Sequence, residues 1–201
     1  MRVLVACEFS GTVRDAFTAM GHYALSCDLL PSKKPGEHYQ GDVRDILSDG
    51  WDLMIAHPPC TYLCNGGNNW LNRRPDLNWR ENREVAFGFF MELINAPIEK
   101  ICVENPIGCI STKYRKPDQI IHPWMFGHDV RKDTCLWLKN LPKLEPTDIV
   151  DPPYRKIDYW STKRNPDGYS LKSITYSGIA EAMAKQWGNV HTQIARQAVL
   201  V

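Results

Sequence analysis

No stretch of this sequence reaches the ~18–20 consecutive apolar residues that a membrane-crossing helix requires, so no membrane partner is expected. The first residues, Met1-Arg2-Val3-Leu4-Val5-Ala6, turn polar too soon for a secretory leader and read instead as a strand. There is no internal repeat, no low-complexity tract and no composition break to mark a second domain. A P-loop and a G-x-S-x-G elbow are both missing. An excess of one charge is missing too. Lys and Arg number 24 against 23 Asp and Glu, for a formal net charge of +1. That counts against a protein that grips nucleic acid by charge alone and leaves room for a local basic patch. Paired cysteines are lacking as well. The seven present are an odd number, scattered, with several inside apparent strands. Such usage fits reduced thiols in a cytoplasmic protein. Cys60, Cys64 and His57 lie near one another, but a zinc site needs about four ligands in paired knuckles, and the other cysteines have no such spacing.

What is present suits one domain over residues 1–201, with 43% hydrophobic and 23% charged residues. Arg2 to Ala6 is a short aliphatic strand. Ser10 then reads as the N-cap of a helix with Val13, Ala16, Phe17 and Met20 at helical spacing, ended by Gly21. Tyr23 to Cys27 is a second strand, closed by Asp28. An acid about twenty residues after a first strand–helix turn suits ribose hydroxyls, which seek an acceptor. The turn lacks a full G-x-G-x-x-G, although adenosine without a pyrophosphate needs fewer glycines. Glu8 and Asp28 read equally as cofactor ligands or as solvated loop acids. Leu30 to Tyr39 reads as loop. Asp42 either approaches the same cofactor or caps the short helix after it.

The chain is organised around Trp51-Asp52-Leu53-Met54-Ile55-Ala56-His57-Pro58-Pro59-Cys60. An apolar run of strand length stops at two prolines, which cannot donate to a ladder. Cys60 is thereby placed just past the strand's carboxyl end, where open parallel sheets bind ligands. It is a candidate nucleophile, with an inert buried thiol as the alternative. Beyond it, Arg73, Arg74, Arg80 and Arg83 are interleaved with Trp70 and Trp79, a mixture suited to phosphates and stacked bases. A solvated helix face, offset by Glu81 and Glu84, is the other reading. Arg83 to Ile94 reads as a helix with a stripe of Val85, Phe89 and Leu93. Lys100 to Glu104 is another buried strand, closed by Glu104-Asn105-Pro106 at the same rim. A carboxylate there is expected to have its pKa raised by apolar neighbours and to act as an acid, or else to be a structural ion-pair partner. Gln119 to Phe126 and Asp133 to Leu138 read as two later, antiparallel strands. Ser177-Gly178-Ile179-Ala180 opens a last helix, with Ile179, Met183 and Trp187 on its apolar side.

This constellation resembles the DNA (cytosine-5)-methyltransferase family, in particular its short phage-type members, over nearly the whole chain and in the family's order. Phe9-Ser10-Gly11 resembles the cofactor-binding motif, Asp28 the ribose-binding acid, and Asp42 the residue near the adenine. Pro58-Pro59-Cys60 is similar to the motif that carries the nucleophile, and Glu104-Asn105-Pro106 to the motif that binds the target cytosine. Arg131 matches an arginine that contacts the base, and Ser177-Gly178 the closing motif at the cofactor pocket. The resemblance implies a Rossmann-like methyltransferase fold in the α/β class, with a mixed, mainly parallel sheet flanked by helices. It implies S-adenosyl-L-methionine as cofactor, with Glu8, Phe9, Ser10, Gly11, Asp28, Asp42, Pro58, Ser177 and Gly178 around it. Cys60, Glu104 and Arg131 would be catalytic. Pro59, Asn105, Pro106, Arg73, Arg74 and Arg80 would meet DNA, duplex or single-stranded, in the cytoplasm of a bacterial or phage-infected cell. The segment from Cys64 to Asn69 would close over a flipped base.

The chain departs from the pattern in three places. Gly11 is followed by Thr12-Val13 rather than another glycine, Asp133 stands where a second arginine is expected, and only residues 141–175 represent the target-recognition region. So small a chain would be relaxed in specificity, act on single strands, gain surface as a homodimer, or use a free nucleotide. The rival readings are the same thiol chemistry on another pyrimidine or with a modified sulfonium donor, and a catalytically silent nucleic-acid-binding module.

Overall fold

Alternation of side chains along buried strands decides the architecture. The computed structural model describes residues 1–67, 78–151 and 173–188. Seven strands form one sheet: β1 (Arg2–Ala6), β2 (Tyr23–Asp28), β3 (His38–Gln40), β4 (Leu53–Ala56), β5 (Lys100–Asn105), β6 (Gln119–Ile121) and β7 (Thr134–Lys139). Their order is β3-β2-β1-β4-β5-β7-β6. The first five in that order run parallel, and β7 is antiparallel to both β5 and β6. This is the expected Rossmann-like α/β sheet, mixed and mainly parallel.

Leu4, Ala6, Met54, Ala56, Ile101 and Val103 point to one face, under Phe90, Leu93 and Ile94 of α2 (Trp79–Ile94). Val3, Val5, Leu53, Ile55 and Cys102 point to the other. There they meet Val13 and Phe17 of α1 (Thr12–Ala19) and Ile179, Met183 and Trp187 of α4 (Ser177–Trp187). Covered on both faces, β1 and β4 are continuous apolar runs rather than alternating ones. A short α3 (Ile110–Lys113) follows β5. No described helix is long and apolar enough to cross a membrane.

Four details differ from the sequence reading. β3 lies in the stretch read as loop; it is a three-residue edge strand held by polar contacts, with Ser26 Oγ 2.9 Å from His38 Nδ1, so it carries no apolar signature. α2 begins at Trp79, ahead of the expected Arg83. β6 stops at Ile121 because Pro123 starts a 3₁₀ turn. The α1 cap residue is Gly11, in the left-handed region at φ 71°, not Ser10.

Candidate functional site

Strand order turns outward in both directions from β1 and β4, so their carboxyl ends open the crevice in which doubly wound sheets bind ligands. Cys7 ends β1 there with a positive φ of 58°, an unfavourable conformation for a side chain with Cβ. A cavity of about 350 Å³ opens beside it, with Asp28, Asp42, Pro59 and Tyr62 on its wall. The opposite wall is one face of α2: Asn82, Val85, Ala86 and Phe89 recur at helical spacing. Val85, expected in the core, is 67% exposed because it faces this cavity while Phe90 and Leu93 take the core positions.

The cavity is apolar on its sides and acidic at one end. Burial pushes the Asp28 carboxyl above its ordinary range, and the Leu30 N–H donated to Oδ1 at 3.0 Å pulls the other way. Asp42 is held low by the Arg44 backbone N–H and guanidinium, and Arg44 also pairs with Glu92. Asp42 therefore caps the 3₁₀ turn Val43–Asp45 while lining the cavity. Cys27 is pushed up to about 12 by burial and by the surrounding aspartates.

Other predicted cofactor residues sit elsewhere. Glu8 is 4% exposed, and its carboxylate accepts hydrogen bonds from Ser10 Oγ and from the backbone N–H groups of Val13 and Arg14. It thus satisfies the start of α1 from within. Ser10 is buried by the same contacts, and Phe9 packs under Lys33 Nζ at 5.3 Å. Gly11 has a structural cause: a Cβ there would collide with the guanidinium of Arg14. That guanidinium is buried among Asp15, Ser26, Ser32 and the Pro35 carbonyl. Ser177 lines a separate hollow of about 500 Å³ with Thr12 and Asp15, and the Gly178 N–H donates to His128 Nε2.

The two strand-end motifs do meet. β4 and β5 pair in parallel with Ala56 opposite Val103, so the next pair up is His57 beside Glu104. His57 Nδ1 lies 3.2 Å from Glu104 Oε2, with the side chains 8% and 18% exposed. Burial would raise the Glu104 pKa, but the His57 hydrogen bond and the charges of Lys132 and His57 outweigh it. Glu104 is therefore held below its ordinary range, ionised, which corrects the expectation of a raised acid. The cation whose charge reaches both Glu104 and Cys60 is Lys132; Arg131, its neighbour, is exposed.

The segment that bears Cys60 is fastened at every turn. Asn105 Nδ2 donates to the Pro58 carbonyl at 2.9 Å, Arg83 Nε to the Tyr62 carbonyl at 2.8 Å, and the Cys109 N–H to the Leu63 carbonyl at 2.8 Å. Arg83 is buried by this role and is not part of a solvated basic face. Pro58 is buried and Pro59 is exposed on the cavity wall. Within the segment the Cys64 N–H closes a helical turn onto the Cys60 carbonyl at 2.9 Å, which sets the two thiols on one side. The hydrogen bond with Cys64, burial and the nearby negative charges raise the Cys60 pKa strongly, against Lys132, so the resting thiol is protonated. Pro106 is half-buried and Arg80 exposed; Arg73 and Arg74 lie outside the described residues, as do Trp70, Asn68, Asn69 and residues 152–172. Sequence reasoning weighed His57 only as a metal ligand and passed over Lys132, and only the pairing of β4, β5 and β7 brings them near Glu104.

No protein-family model matches the chain, and no curated protein matches it. Solved structures with a similar fold include a protein described as a DNA modification methyltransferase encoded within a prophage (E. coli). It has 13% identity and a TM-score of 0.46, over 75% of this chain and 52% of that one. Another is the S. pombe Dnmt2 methyltransferase, at 17% identity and a TM-score of 0.44, over 79% and 52%. The chain spans about half the length of these structures.

Proposed function

We propose that this chain transfers a methyl group from S-adenosyl-L-methionine to C5 of cytosine in DNA, through a covalent adduct on Cys60. The observation that carries the reading is the adjacency of Pro58-Pro59-Cys60 and Glu104-Asn105-Pro106 at two paired strand ends, beside a cavity that Pro59 shares with Asp28. The cavity suits an adenosine group: apolar side walls for the base and an acceptor carboxylate for ribose hydroxyls. Asp28, Val85 and Phe89 would hold that group, and Asp42 would stand near it. When bound, the sulfonium cofactor would supply the methyl group.

The chain's own residues account for the rest. C5 of cytosine is a poor nucleophile until sulfur adds at C6. Cys60 sulfur forms the C6 bond while its proton passes to ionised Glu104, which delivers it to N3 as that nitrogen becomes basic. The displaced ring electrons make C5 an enamine carbon able to take the methyl group. Loss of the C5 proton to water, cleavage of the S–C6 bond and return of the N3 proton through Glu104 restore Cys60 as a thiol. The base must leave the duplex stack or be single-stranded already.

The test offers DNA containing 5-fluorocytosine together with the cofactor, because fluorine at C5 prevents the final elimination. A denaturation-resistant protein–DNA adduct that disappears in Cys60→Ser is expected. Clear DNA binding with no adduct, on duplex and on single strands alike, would replace this reading with the binding module.

A further inference from the structure

The imidazole of His57 has no place in the chemistry above. It is the first residue past β4, where its backbone N–H still pairs with the Ala6 carbonyl at 2.9 Å. Its side chain is 8% exposed, and among the described residues Nε2 is buried with no hydrogen-bond partner. A half-satisfied buried imidazole is unfavourable, and an apolar side chain would fill the same space without an orphaned nitrogen. The bond made by the other ring nitrogen is what the position keeps.

We propose that His57 is the positioning residue of the site, donating from Nδ1 to fix one Glu104 oxygen and leave the other to receive the pyrimidine edge. An ionised carboxylate only accepts, so the shared hydrogen belongs to Nδ1. Oε2 is thereby occupied, while among the described residues Oε1 has no hydrogen bond within the protein. Both partners extend from hydrogen-bonded strands, so the bond sets the carboxylate's direction against a rigid frame. Among the described residues, the titratable groups near Glu104 are His57 from the end of β4, Cys60 from the following segment, Lys132 ahead of β7 and Cys102 on the same face of β5, while Cys135, paired with Asn105 on β7, points to the opposite face. Of these, only His57 makes a hydrogen bond to it. The role in turnover rests on the proposed reaction; the control of Glu104 ionisation does not.

Glutamate labelled with ¹³C at the side-chain carboxyl separates the two. The Glu104 signal is identified by its loss in Glu104→Gln, and its titration is followed in wild type, His57→Leu, His57→Asn and His57→Gln. Asn places an amide N–H near the Nδ1 position, whereas Gln places it near Nε2. The midpoint is expected to rise in His57→Leu and His57→Gln and to stay low in His57→Asn. Should His57→Leu not fold, the Asn–Gln pair decides alone. An unchanged midpoint in folded His57→Leu, or equal midpoints for Asn and Gln, overturns the proposal.

In the second arm, adduct formation with 5-fluorocytosine DNA is expected to fall by about tenfold or more in His57→Leu and to recover in His57→Asn. Equal rates in wild type and His57→Leu overturn the positioning role. No adduct even in wild type would sink the reaction reading, and a low, Asn-rescued Glu104 midpoint would still support His57 as the group that sets the carboxylate.

Discussion

Replacing Asn105 by leucine separates the stability of the site from its geometry. Asn105 is 1% exposed and donates from Nδ2 to the Pro58 carbonyl at 2.9 Å, while its own Oδ1 is buried with no partner among the described residues. Losing the donor strands the Pro58 carbonyl, at a cost of ~1–3 kcal/mol. Removing the orphaned Oδ1 returns a similar ~1–3 kcal/mol. Leucine keeps the branched outline of asparagine but is bulkier, so no cavity opens and overpacking at this buried position adds a cost of ~1–3 kcal/mol. The two polar terms oppose each other, so the net loss is expected to be about that of the overpacking, ~1–3 kcal/mol, a fall in Tm of roughly 2–12 °C for a chain of this size. Function is not so buffered. Cys60 sits two residues beyond Pro58, and a misplacement of ~1 Å at a reacting atom can cost about 100-fold in rate. Urea unfolding and 5-fluorocytosine adduct kinetics on the same preparation make the comparison. The expected pattern is a modestly lowered unfolding midpoint with adduct formation about two orders of magnitude slower. A variant destabilised by more than ~3 kcal/mol, or one that forms adduct at the wild-type rate, would refute the reasoning.

Two further outcomes follow from the same frame. Asp28→Asn should stabilise the unliganded protein and weaken its binding of S-adenosylhomocysteine in calorimetry, because burial raises the Asp28 pKa and its ionised form costs folding free energy. A carboxyl whose folded pKa is raised takes up its proton on folding, so the wild type's deficit against the variant is full above the folded value. That deficit should shrink as pH falls and be gone below the unfolded value near 3.8. Gly108→Ala places a Cβ against the Leu63 carbonyl, where Gly108 pairs with Cys64. Backbone cannot yield cheaply there, so a loss of ~1–3 kcal/mol in urea unfolding is expected, with faster thiol labelling of Cys64 as the segment lifts.

A good part of the molecule was legible in the chain. The doubly buried strands announce themselves as apolar runs, and their ends are punctuated by Asp28, by Pro58-Pro59 and by Pro106. The helix faces that carry Phe17, Leu93 and Trp187 follow from period alone. β3 was not legible, because an edge strand of three polar residues is held by partners such as Ser26 rather than by burial. The face of α2 was half legible: an apolar stripe does not say whether Val85 meets a core or a cavity.

The sequence by itself determined which residues stand at strand ends, because prolines and apolar runs act locally: Cys60 and Glu104 are placed there on that ground, and the parallel pairing of β4 and β5 brings those ends to one rim. Only the tertiary structure decided their states. Burial and charge are sums over neighbours far apart in the chain, so a glutamate expected as a raised acid is held ionised by His57 and Lys132. The thiol read as a candidate nucleophile is kept protonated at rest by Cys64 and by its own burial. Glu8, a cofactor candidate by spacing, and Gly11, one by resemblance, serve the start of α1 and the buried guanidinium of Arg14, because those groups meet them only once β1, α1 and β2 are packed together.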